Sequence, residues 1–244
     1  MTEIWAHRGA CAHAPENTMA AFALAIEHGA DAVELDVHLD ADGRLVVRHD
    51  EWVSMPDGSR PLLRDLDAEA IAGIDVGDER SGRAGIPLLG EVIELLRPTG
   101  LRLNVEVKNG PVIAPGIEEA VATATMRSGM AERIVVSSFN HFSLVAIRAM
   151  APGVDIAPLY SEGLVDPWRY VQHLGVDAVH PFVANLFAPG VADGFRDAGI
   201  RVRPWTVNDP AMIAHLVDAG VDAIITDEPA AAVAVRDARL AAAR

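Results

Sequence analysis

Three acidic residues and their spacing carry the most informative chemistry of this sequence. Glu34 and Asp36 alternate with apolar residues, which is the period of a β-strand, so both carboxylates face the same side. Glu106 lies in a second run of this kind. Carboxylates that meet at one point repel unless a cation neutralises them, and oxygen ligands suit Mg²⁺ or Ca²⁺. We therefore predict a site for one divalent cation; the alternative is that the carboxylates pair with Arg8 and Lys108.

Two histidines are candidates for acid–base chemistry in the same site. His7 ends the first apolar run of the chain, and His49 ends the apolar run that follows an Asp-Gly pair. Histidine titrates near neutral pH, so two of them can serve as acid and base in one turnover. A single histidine at a strand end is more often only hydrogen-bonded, but two beside a carboxylate cluster favour catalysis.

Arg8 and Lys108 supply the positive charge that an anionic substrate needs. The chain has a net charge of −15, and Lys108 is the only lysine among its 20 basic residues. Arginine can hold a phosphate through two parallel N–H bonds, whereas lysine offers a point charge. A lysine beside Glu106 therefore indicates a site where a guanidinium does not fit. Trp205 is predicted to form a wall of the same pocket, without a catalytic role.

A β-hairpin is predicted to bring the second histidine to the carboxylates. Asp42-Gly43 separates two β-type runs, and such a pair favours a two-residue turn with positive φ. In that register residue 41 pairs with residue 44, which sets Asp36 opposite His49. Near the C-terminus, Asn208-Asp209-Pro210 and Asp227-Glu228-Pro229 have the pattern of helix N-caps followed by proline, and we predict capping as their role.

The remaining elements alternate in the order that predicts an α/β fold, the TIM (β/α)8 barrel. Helical segments separate eight predicted strands, at residues 3–7, 32–38, 101–108, 134–139, 155–160, 178–181, 201–207 and 223–226. Active-site side chains of such barrels lie at the carboxyl ends of the strands, where the candidates stand. We expect one domain over residues 1–244, with a small insertion at about 51–87 over the barrel mouth.

Composition narrows the classes of partner and location. The acidic charge disfavours nucleic acid and anionic membranes as partners. Cys11 is the only cysteine, so it forms no intrachain disulfide and fits a reducing cytoplasm. The sequence has no run of about 18 apolar residues, so we predict no membrane span. Its first residues show no basic segment followed by an apolar one, so we predict no signal peptide. We expect a cytoplasmic protein with a small-molecule substrate; its oligomeric state is not predicted.

Short motifs through most of the chain resemble the glycerophosphodiester phosphodiesterase family. In chain order they are Ala6-His7-Arg8-Gly9, Pro15-Glu16-Asn17-Thr18, Glu34-Leu35-Asp36-Val37, His49-Asp50, Ile86-Pro87-Leu88, Val105-Glu106-Val107-Lys108, Ser137-Ser138-Phe139, Trp205-Thr206-Val207-Asn208, Gly220-Val221-Asp222 and Thr226-Asp227-Glu228-Pro229. Each motif alone is weak, but together and in this order they are very specific. The resemblance implies a TIM barrel with a small insertion after the hairpin.

The resemblance also implies an activity and a role for each candidate. The substrate class is glycerophosphodiesters, which give glycerol 3-phosphate and an alcohol. The acid–base pair is His7 and His49. The divalent cation is held by Glu34, Asp36 and Glu106, and the phosphate by Arg8 and Lys108.

The nucleophile is open to two interpretations. No serine, threonine or cysteine beside a histidine suggests a covalent intermediate, which leaves a metal-activated water or the substrate's own hydroxyl next to the phosphate ester. The resemblance favours the hydroxyl, through a five-membered cyclic phosphate, and a neighbouring hydroxyl needs no second molecule to be ordered.

The sequence departs from the family directly after His49-Asp50. The family often has an Arg-Thr-Thr-like stretch and then glycine, whereas residues 51–59 are EWVSMPDGS. The resemblance implies that this insertion shapes the alcohol side of the pocket, so the alcohol is not predicted.

Three other functions are weighed against this one. An enolase-like barrel abstracts a proton with a lysine base, but it spreads its metal ligands over separate strands, unlike Glu34 and Asp36. A phosphatidylinositol-type phospholipase C also uses two histidines, but the acidic surface disfavours a bilayer substrate. A non-catalytic binding barrel would be favoured by the loss of a site residue, and none is missing.

Overall fold

Eight parallel strands alternate with helices around a barrel in the computed structural model, which describes residues 1–55, 57–79 and 82–242. The strands are β1 (Glu3–Ala6), β2 (Ala32–Leu39), β3 (Leu45–Val47), β4 (Arg102–Val107), β5 (Ile134–Ser138), β6 (Asp155–Tyr160), β7 (Ala178–Pro181), β8 (Arg201–Val202) and β9 (Ala223–Thr226). The α-helices are α1 (Met19–Glu27), α2 (Ala68–Ala72), α3 (Leu89–Leu96), α4 (Ile117–Arg127), α5 (His141–Met150), α6 (Pro167–Leu174), α7 (Val191–Asp197), α8 (Pro210–Ala219) and α9 (Pro229–Ala242). Single 3₁₀ segments lie at Leu63–Asp65, Ala131–Arg133 and Val183–Phe187.

The strand order confirms the predicted barrel. Neighbours follow the path β8-β7-β6-β5-β4-β2-β1-β9, and every pair along it is parallel. Between the two ends of the path, Asp222 N donates to Val202 O at 3.0 Å and Val207 N donates to Ile225 O at 3.0 Å. These bonds nearly close the barrel. The predicted strand 201–207 is shortened to β8, because Pro204 has no N–H to continue the ladder.

The register of the hairpin was predicted wrongly by one residue. Leu39 pairs with Leu45 and Val37 with Val47, which sets Arg48, and not His49, beside Asp36. The cause is the side chain of Asp40, because its Oδ1 accepts hydrogen bonds from the backbone N–H groups of Asp42 and Arg44 at 3.0 and 2.7 Å. The loop therefore has three residues, 41–43, and ends on Gly43 at a φ of 77°.

The predicted insertion forms a small lobe on the outer side of the hairpin. Its apolar residues Val53, Leu63, Ile71 and Ile74 pack on Val46 of β3. The lobe contains the short helix α2, which begins after the N-cap Asp67. Arg64 reaches the loop that follows β4 and donates to the carbonyl of Ile113 at 2.8 Å, so the lobe flanks the mouth on the hairpin side. Pro56, Arg80 and Ser81 of the predicted insertion lie outside the described residues.

Successive side chains of each strand point alternately out of and into the barrel, which separates an outer core from the barrel interior. Residues such as Val33, Leu35 and Leu103 point outward and join the apolar layer under the helices. Inside, Trp5 is fully buried and packs with alanines of neighbouring strands, which leave room for its indole ring. The Arg203 guanidinium lies over that ring at 4.8 Å and is paired with Asp155 at 3.1 Å. The lower interior is therefore filled, and the residues above it face the mouth.

None of the helices in the described ranges is both long and apolar enough to span a membrane. The assignment of the whole chain to one domain stays a prediction.

Candidate active site

One cavity at the carboxyl ends of the strands contains most of the predicted site residues. Every second residue of each strand points into the barrel. Above the layer of Trp5, the next inward residue after Trp5 is therefore His7, and the next inward residues after Ala32 are Glu34 and Asp36. On β4 the same rule places Asn104, Glu106 and Lys108 inside. The cavity is lined by His7, Arg8, Glu34, His49, Asn104, Glu106, Lys108, Phe139, Leu159, Trp205 and Ile225. Trp205 is therefore part of the wall, as predicted from the sequence.

The three carboxylates meet because the sheet register sets them side by side. Asp36 of β2 pairs with Glu106 of β4, and Glu34 lies two residues below Asp36 on the same inner face. One oxygen of each carboxylate lies within 4.8 Å of the others, and all three residues are buried. Burial, and then the charge of Asp36, raises the pKa of Glu34 to about 8. Burial also raises the pKa of Glu106.

Arg8 and Lys108 pair with part of this cluster, so the alternative weighed from the sequence is partly realised. Lys108 Nζ lies 3.0 Å from Asp36 Oδ1 and 2.6 Å from Glu106 Oε1. Arg8 Nε lies 3.4 Å from Asp36 Oδ2. Although burial alone would raise the pKa of Asp36, Lys108 and Arg8 lower it to about 2. Asp36 is therefore the ionised centre of the cluster.

Glu34 has no cationic partner after this pairing. It accepts a 2.8 Å hydrogen bond from the backbone N–H of Arg8, but no side-chain cation in the described part of the chain forms an ion pair with it, and its raised pKa favours the neutral form until a cation displaces the proton. Arg8 is also shared with the exposed Glu16 at 2.7 Å. A cluster of three carboxylates with two cations has room, charge and oxygen ligands for one divalent cation. These residues therefore fit the predicted metal, and the identity of the ion stays a prediction.

The loop after β1 positions Arg8. Arg8 and Gly9 have φ angles of 53° and 82°, and this turn directs the Arg8 N–H at Glu34. Only glycine fits at position 9, because a Cβ there would lie 2.6 Å from the backbone carbon of Ala21. Asn17 follows this loop and donates to Asp36 Oδ2 at 2.8 Å.

His7 is held by a carboxylate that sequence reasoning assigned to another role. Asp227 Oδ1 accepts from His7 Nδ1 at 2.6 Å, and Asp227 Oδ2 accepts from Asn208 Nδ2 at 2.6 Å. Burial would lower the pKa of His7, but the hydrogen bond to Asp227 raises it. Burial alone would raise the pKa of Asp227. The hydrogen bonds that Asp227 accepts from His7 and Cys11 outweigh burial and bring its pKa below the usual range.

The predicted capping role is therefore right for Asp209 and wrong for Asp227. Asp209 accepts hydrogen bonds from the first turn of α8, at Ala211 N and Met212 N. Asp227 instead faces the barrel interior. The signal was in the alternation, because Ala223 and Ile225 point inward and place Asp227 on the inner face of β9 beside β1.

Cys11 joins the same group without reactive character. Its Sγ donates to Asp227 Oδ1 at 3.0 Å. Burial and this hydrogen bond raise the pKa of the thiol, so the thiolate is disfavoured. Cys11 is therefore a hydrogen-bond donor to Asp227 in this site.

His49 reaches the cavity from the end of the hairpin despite the corrected register. Its Nδ1 lies 2.9 Å from Asp50 Oδ1, and its carbonyl oxygen is 3.1 Å from His38 Nε2. His49 is one of the residues that line the cavity with His7. Both predicted histidines therefore face one space, each with a carboxylate on Nδ1.

Comparisons with known proteins agree with this architecture. The model of the family described as "Glycerophosphoryl diester phosphodiesterase family" matches residues 7–231. A glycerophosphodiester phosphodiesterase of Caldanaerobacter subterraneus subsp. tengcongensis is 42% identical over 232 residues, which cover 93% of this chain and 95% of that protein. One of Bacillus altitudinis is 37% identical over 243 residues, covering 97% and 99% of the two chains.

A solved structure extends the agreement to three dimensions. The structure of an Oleispira antarctica phosphodiesterase, in complex with the product sn-glycerol-3-phosphate, superposes with a TM-score of 0.83 at 29% identity and covers 97% of both chains. The predicted fold, the predicted family and the prediction of a phosphodiesterase are confirmed. The chain belongs to the glycerophosphoryl diester phosphodiesterase family.

Proposed function

We propose that this protein hydrolyses glycerophosphodiesters to glycerol 3-phosphate and an alcohol, with one divalent cation, Mg²⁺ or Ca²⁺, and with His7 and His49 as acid and base. The observation that carries this proposal is one cavity lined by two histidines and two cations, beside a buried cluster of three carboxylates that offers oxygen ligands to one cation. Two relatives of this chain are named glycerophosphodiester phosphodiesterases, and the Oleispira enzyme holds glycerol 3-phosphate as product.

The acidic cluster is proposed to hold the cation through Glu34, Asp36 and Glu106. When bound, the cation supplies positive charge for the phosphoryl oxygens of the diester. Lys108 and Arg8 then add charge from the protein itself, Lys108 as a point charge beside Asp36 and Glu106. In a chain with net charge −15, these groups create the local positive field that an anionic substrate requires.

His7 is proposed to move a proton at its Nε2 atom. Asp227 accepts a hydrogen bond from Nδ1, which keeps that nitrogen protonated and leaves Nε2 to exchange a proton with the substrate. His49 has the same arrangement with Asp50. One histidine would take a proton from the attacking group while the other protonates the leaving alcohol.

The attacking group is proposed to be the 2-hydroxyl of the substrate's glycerol. Cys11 is a poor nucleophile here, because its thiol donates to Asp227 and burial raises its pKa. Attack by the adjacent hydroxyl closes a five-membered cyclic phosphate and expels the alcohol. Water then opens the ring to glycerol 3-phosphate while the two histidines exchange roles. The gain is in positioning, because the hydroxyl is already tethered to the reacting phosphate.

A substrate panel tests this proposal. We expect glycerophosphocholine and glycerophosphoethanolamine to release glycerol 3-phosphate when Mg²⁺ or Ca²⁺ is present, and chelation to stop the release. Bis(p-nitrophenyl) phosphate, which has no hydroxyl next to its ester, should be hydrolysed far more slowly. Efficient cleavage of the aryl diester with none of the glycerol diesters would refute the assigned substrate class.

The cytoplasmic location predicted from the single cysteine belongs to this proposal as well.

A further inference from the structure

The mouth of the barrel has two chemically different halves. On β1, β2 and β4, the last inward residues are charged, with His7, Asp36 and Lys108 among them. On β5 and β6 the corresponding inward residues are Phe139 and Leu159. The segments beyond β5, β6 and β7 continue the apolar character, and several of their large side chains are exposed: Phe139, Phe142 in the first turn of α5, Leu164, Val165 and Phe182.

A side cleft leads from the catalytic cavity into this apolar half. The side cleft is lined by Phe139, Leu159, Tyr160, Leu164, Val165 and Tyr170. Phe139 and Leu159 also line the catalytic cavity, so the two spaces share a wall. The side cleft is therefore the neighbour of the catalytic cavity on the side of Phe139 and Leu159.

The exposure of apolar side chains in the side cleft to water is unfavourable in free energy. Val165 is 92% exposed and Leu164 is 39% exposed, although both are aliphatic. Apolar surface gains free energy when it leaves water, so an aliphatic ligand would be bound favourably here. Covering these residues contributes more to the binding free energy than covering an isolated surface site would, because the ligand is already anchored at its phosphate.

The charge of this half selects against an anionic group. The loops at residues 139–140, 161–166 and 182–190 contain no lysine or arginine. They carry Glu162, which lines the side cleft, and Asp166. A second phosphate or a carboxylate on the alcohol would therefore lie beside the carboxylate of Glu162, in a cleft whose lining also includes His141, whereas Asp166 is already paired with Arg169 at 3.3 Å.

We propose that the alcohol of the preferred substrate carries an uncharged hydrocarbon portion and that this portion lies in the side cleft. The inference rests on the proposed function, because it assigns the second arm of the same phosphodiester. It places the alcohol on the β5–β6 side of the mouth. The family resemblance had suggested the insertion, which flanks the mouth at the hairpin and at the loop after β4.

The test compares binding of a homologous series. The diesters of glycerol 3-phosphate with ethanol, butanol, hexanol and octanol differ only in hydrocarbon length and are used at monomeric concentrations. Calorimetry on the His49→Ala protein with Mg²⁺ gives Kd while turnover is slowed. Full burial of a methylene would lower Kd about fourfold, so a half-open cleft should give about twofold per methylene. The diester of serine, which bears a carboxylate, should bind more weakly than the ethanol diester.

Two pairs of substitutions locate the effect. Leu164→Ser with Val165→Ser, made in the same His49→Ala background, should flatten the dependence of Kd on chain length. The matched control is Met126→Ser with Met150→Ser, which removes two exposed apolar side chains from the ends of α4 and α5 that lie far from the mouth. The control should keep the full dependence. An equal loss in both pairs would overturn the inference.

The outcomes separate this inference from the proposed function. A Kd that does not change with chain length overturns the side-cleft assignment, even if wild-type protein releases glycerol 3-phosphate from every diester. A clear dependence of Kd without any release by wild-type protein would refute the proposed reaction and leave the side cleft supported. Binding to neutral phosphatidylcholine vesicles that requires Leu164 and Val165, with a flat series, would assign these residues to a lipid surface and overturn the inference.

Discussion

Asp227 lies 220 residues after His7 in the chain, yet its Oδ1 is 2.6 Å from the Nδ1 of that histidine. The contact exists because β9 and β1 are neighbours, with Ala6 paired to Thr226. His7 directly follows β1 and Asp227 directly follows β9, and both side chains face the barrel interior or its mouth. The first and last elements of the barrel thus combine to position one imidazole.

Replacing Asp227 by asparagine should change the titration of His7. The hydrogen bond to Asp227 now outweighs burial and raises the pKa of His7 above its usual value of 6.5. In Asp227→Asn, burial should dominate and the pKa should fall, so the His7 limb of the kcat/KM profile moves to lower pH. We also expect kcat to fall by roughly 10²-fold, because the tautomer is no longer held.

The control for this substitution is an exposed pair at the next position. Glu228 lies 2.7 Å from His13 Nε2, outside the residues that line the cavity. Glu228→Gln should leave both kcat and the pH profile unchanged. A profile for Asp227→Asn that coincides with that of wild type would contradict the positioning role.

The alternation of strand residues predicted most of the site, and side-chain hydrogen bonds that the alternation does not encode account for the errors. Glu34, Asp36 and Glu106 were placed on one face by period two, and the register of β2 with β4 unites them. The hairpin register was off by one because Asp40 binds two backbone N–H groups, a contact that the Asp-Gly pattern does not encode. His49 still faces the cavity, since it follows the strand end and its placement tolerates such a shift.

The helix-cap pattern obscured the role of Asp227. An Asp directly precedes Pro210 and another lies two residues before Pro229, and what distinguishes the second is the inward alternation of Ala223 and Ile225 together with the pairing of β9 with β1. The apolar side cleft was missed for a similar reason, because Phe139, Leu164 and Tyr170 belong to three segments that only the barrel brings together. The roles proposed for the eight candidate residues stay predictions until variants are measured.

Binding of a divalent cation should raise the thermal stability of the protein. The three buried carboxylates repel one another, so neutralising them stabilises the folded state. At about 100 times Kd, a ligand that binds only the folded state contributes about 2.7 kcal/mol, which corresponds to a Tm increase of about 5–10 °C for a chain of this length. Differential scanning fluorimetry with Mg²⁺ or Ca²⁺, after removal of metal with a chelator, measures the shift.

Glu106→Gln should abolish this metal-induced shift, whereas Glu16→Gln should retain it. Glu16 is an exposed carboxylate that pairs with Arg8 and lies outside the group of three. A shift that survives in Glu106→Gln would place the cation elsewhere.

Lys108 should resist replacement by the other basic residue. Its Nζ occupies a buried position between Asp36 and Glu106, which suits a compact ammonium better than a planar guanidinium. We expect Lys108→Met to lower kcat/KM by roughly 10–10²-fold, the value of a hydrogen bond to a charged group. Lys108→Arg should recover little of this loss. Arg127→Met, on the exposed end of α4, serves as the control, and full activity of Lys108→Arg would argue against the fit.

Removal of the substrate's 2-hydroxyl should slow cleavage while binding is preserved. The proposed nucleophile is then absent, but the phosphate and both arms remain. Single-turnover rates at saturating enzyme compare glycerophosphocholine with its 2-deoxy analogue, and we expect the analogue to react at least 10²-fold more slowly. Equal rates would exclude the cyclic phosphate and leave water as the nucleophile.

Release of glycerol 3-phosphate by histidine variants tests the central claim most directly. With glycerophosphocholine and Mg²⁺, wild-type protein should form glycerol 3-phosphate, and His7→Ala and His49→Ala should each lower kcat by roughly 10²–10⁴-fold. His28→Ala, at the end of α1 and outside the catalytic cavity, should behave as wild type. Wild-type rates in both His7→Ala and His49→Ala, or a loss in His28→Ala as large as theirs, would contradict the account.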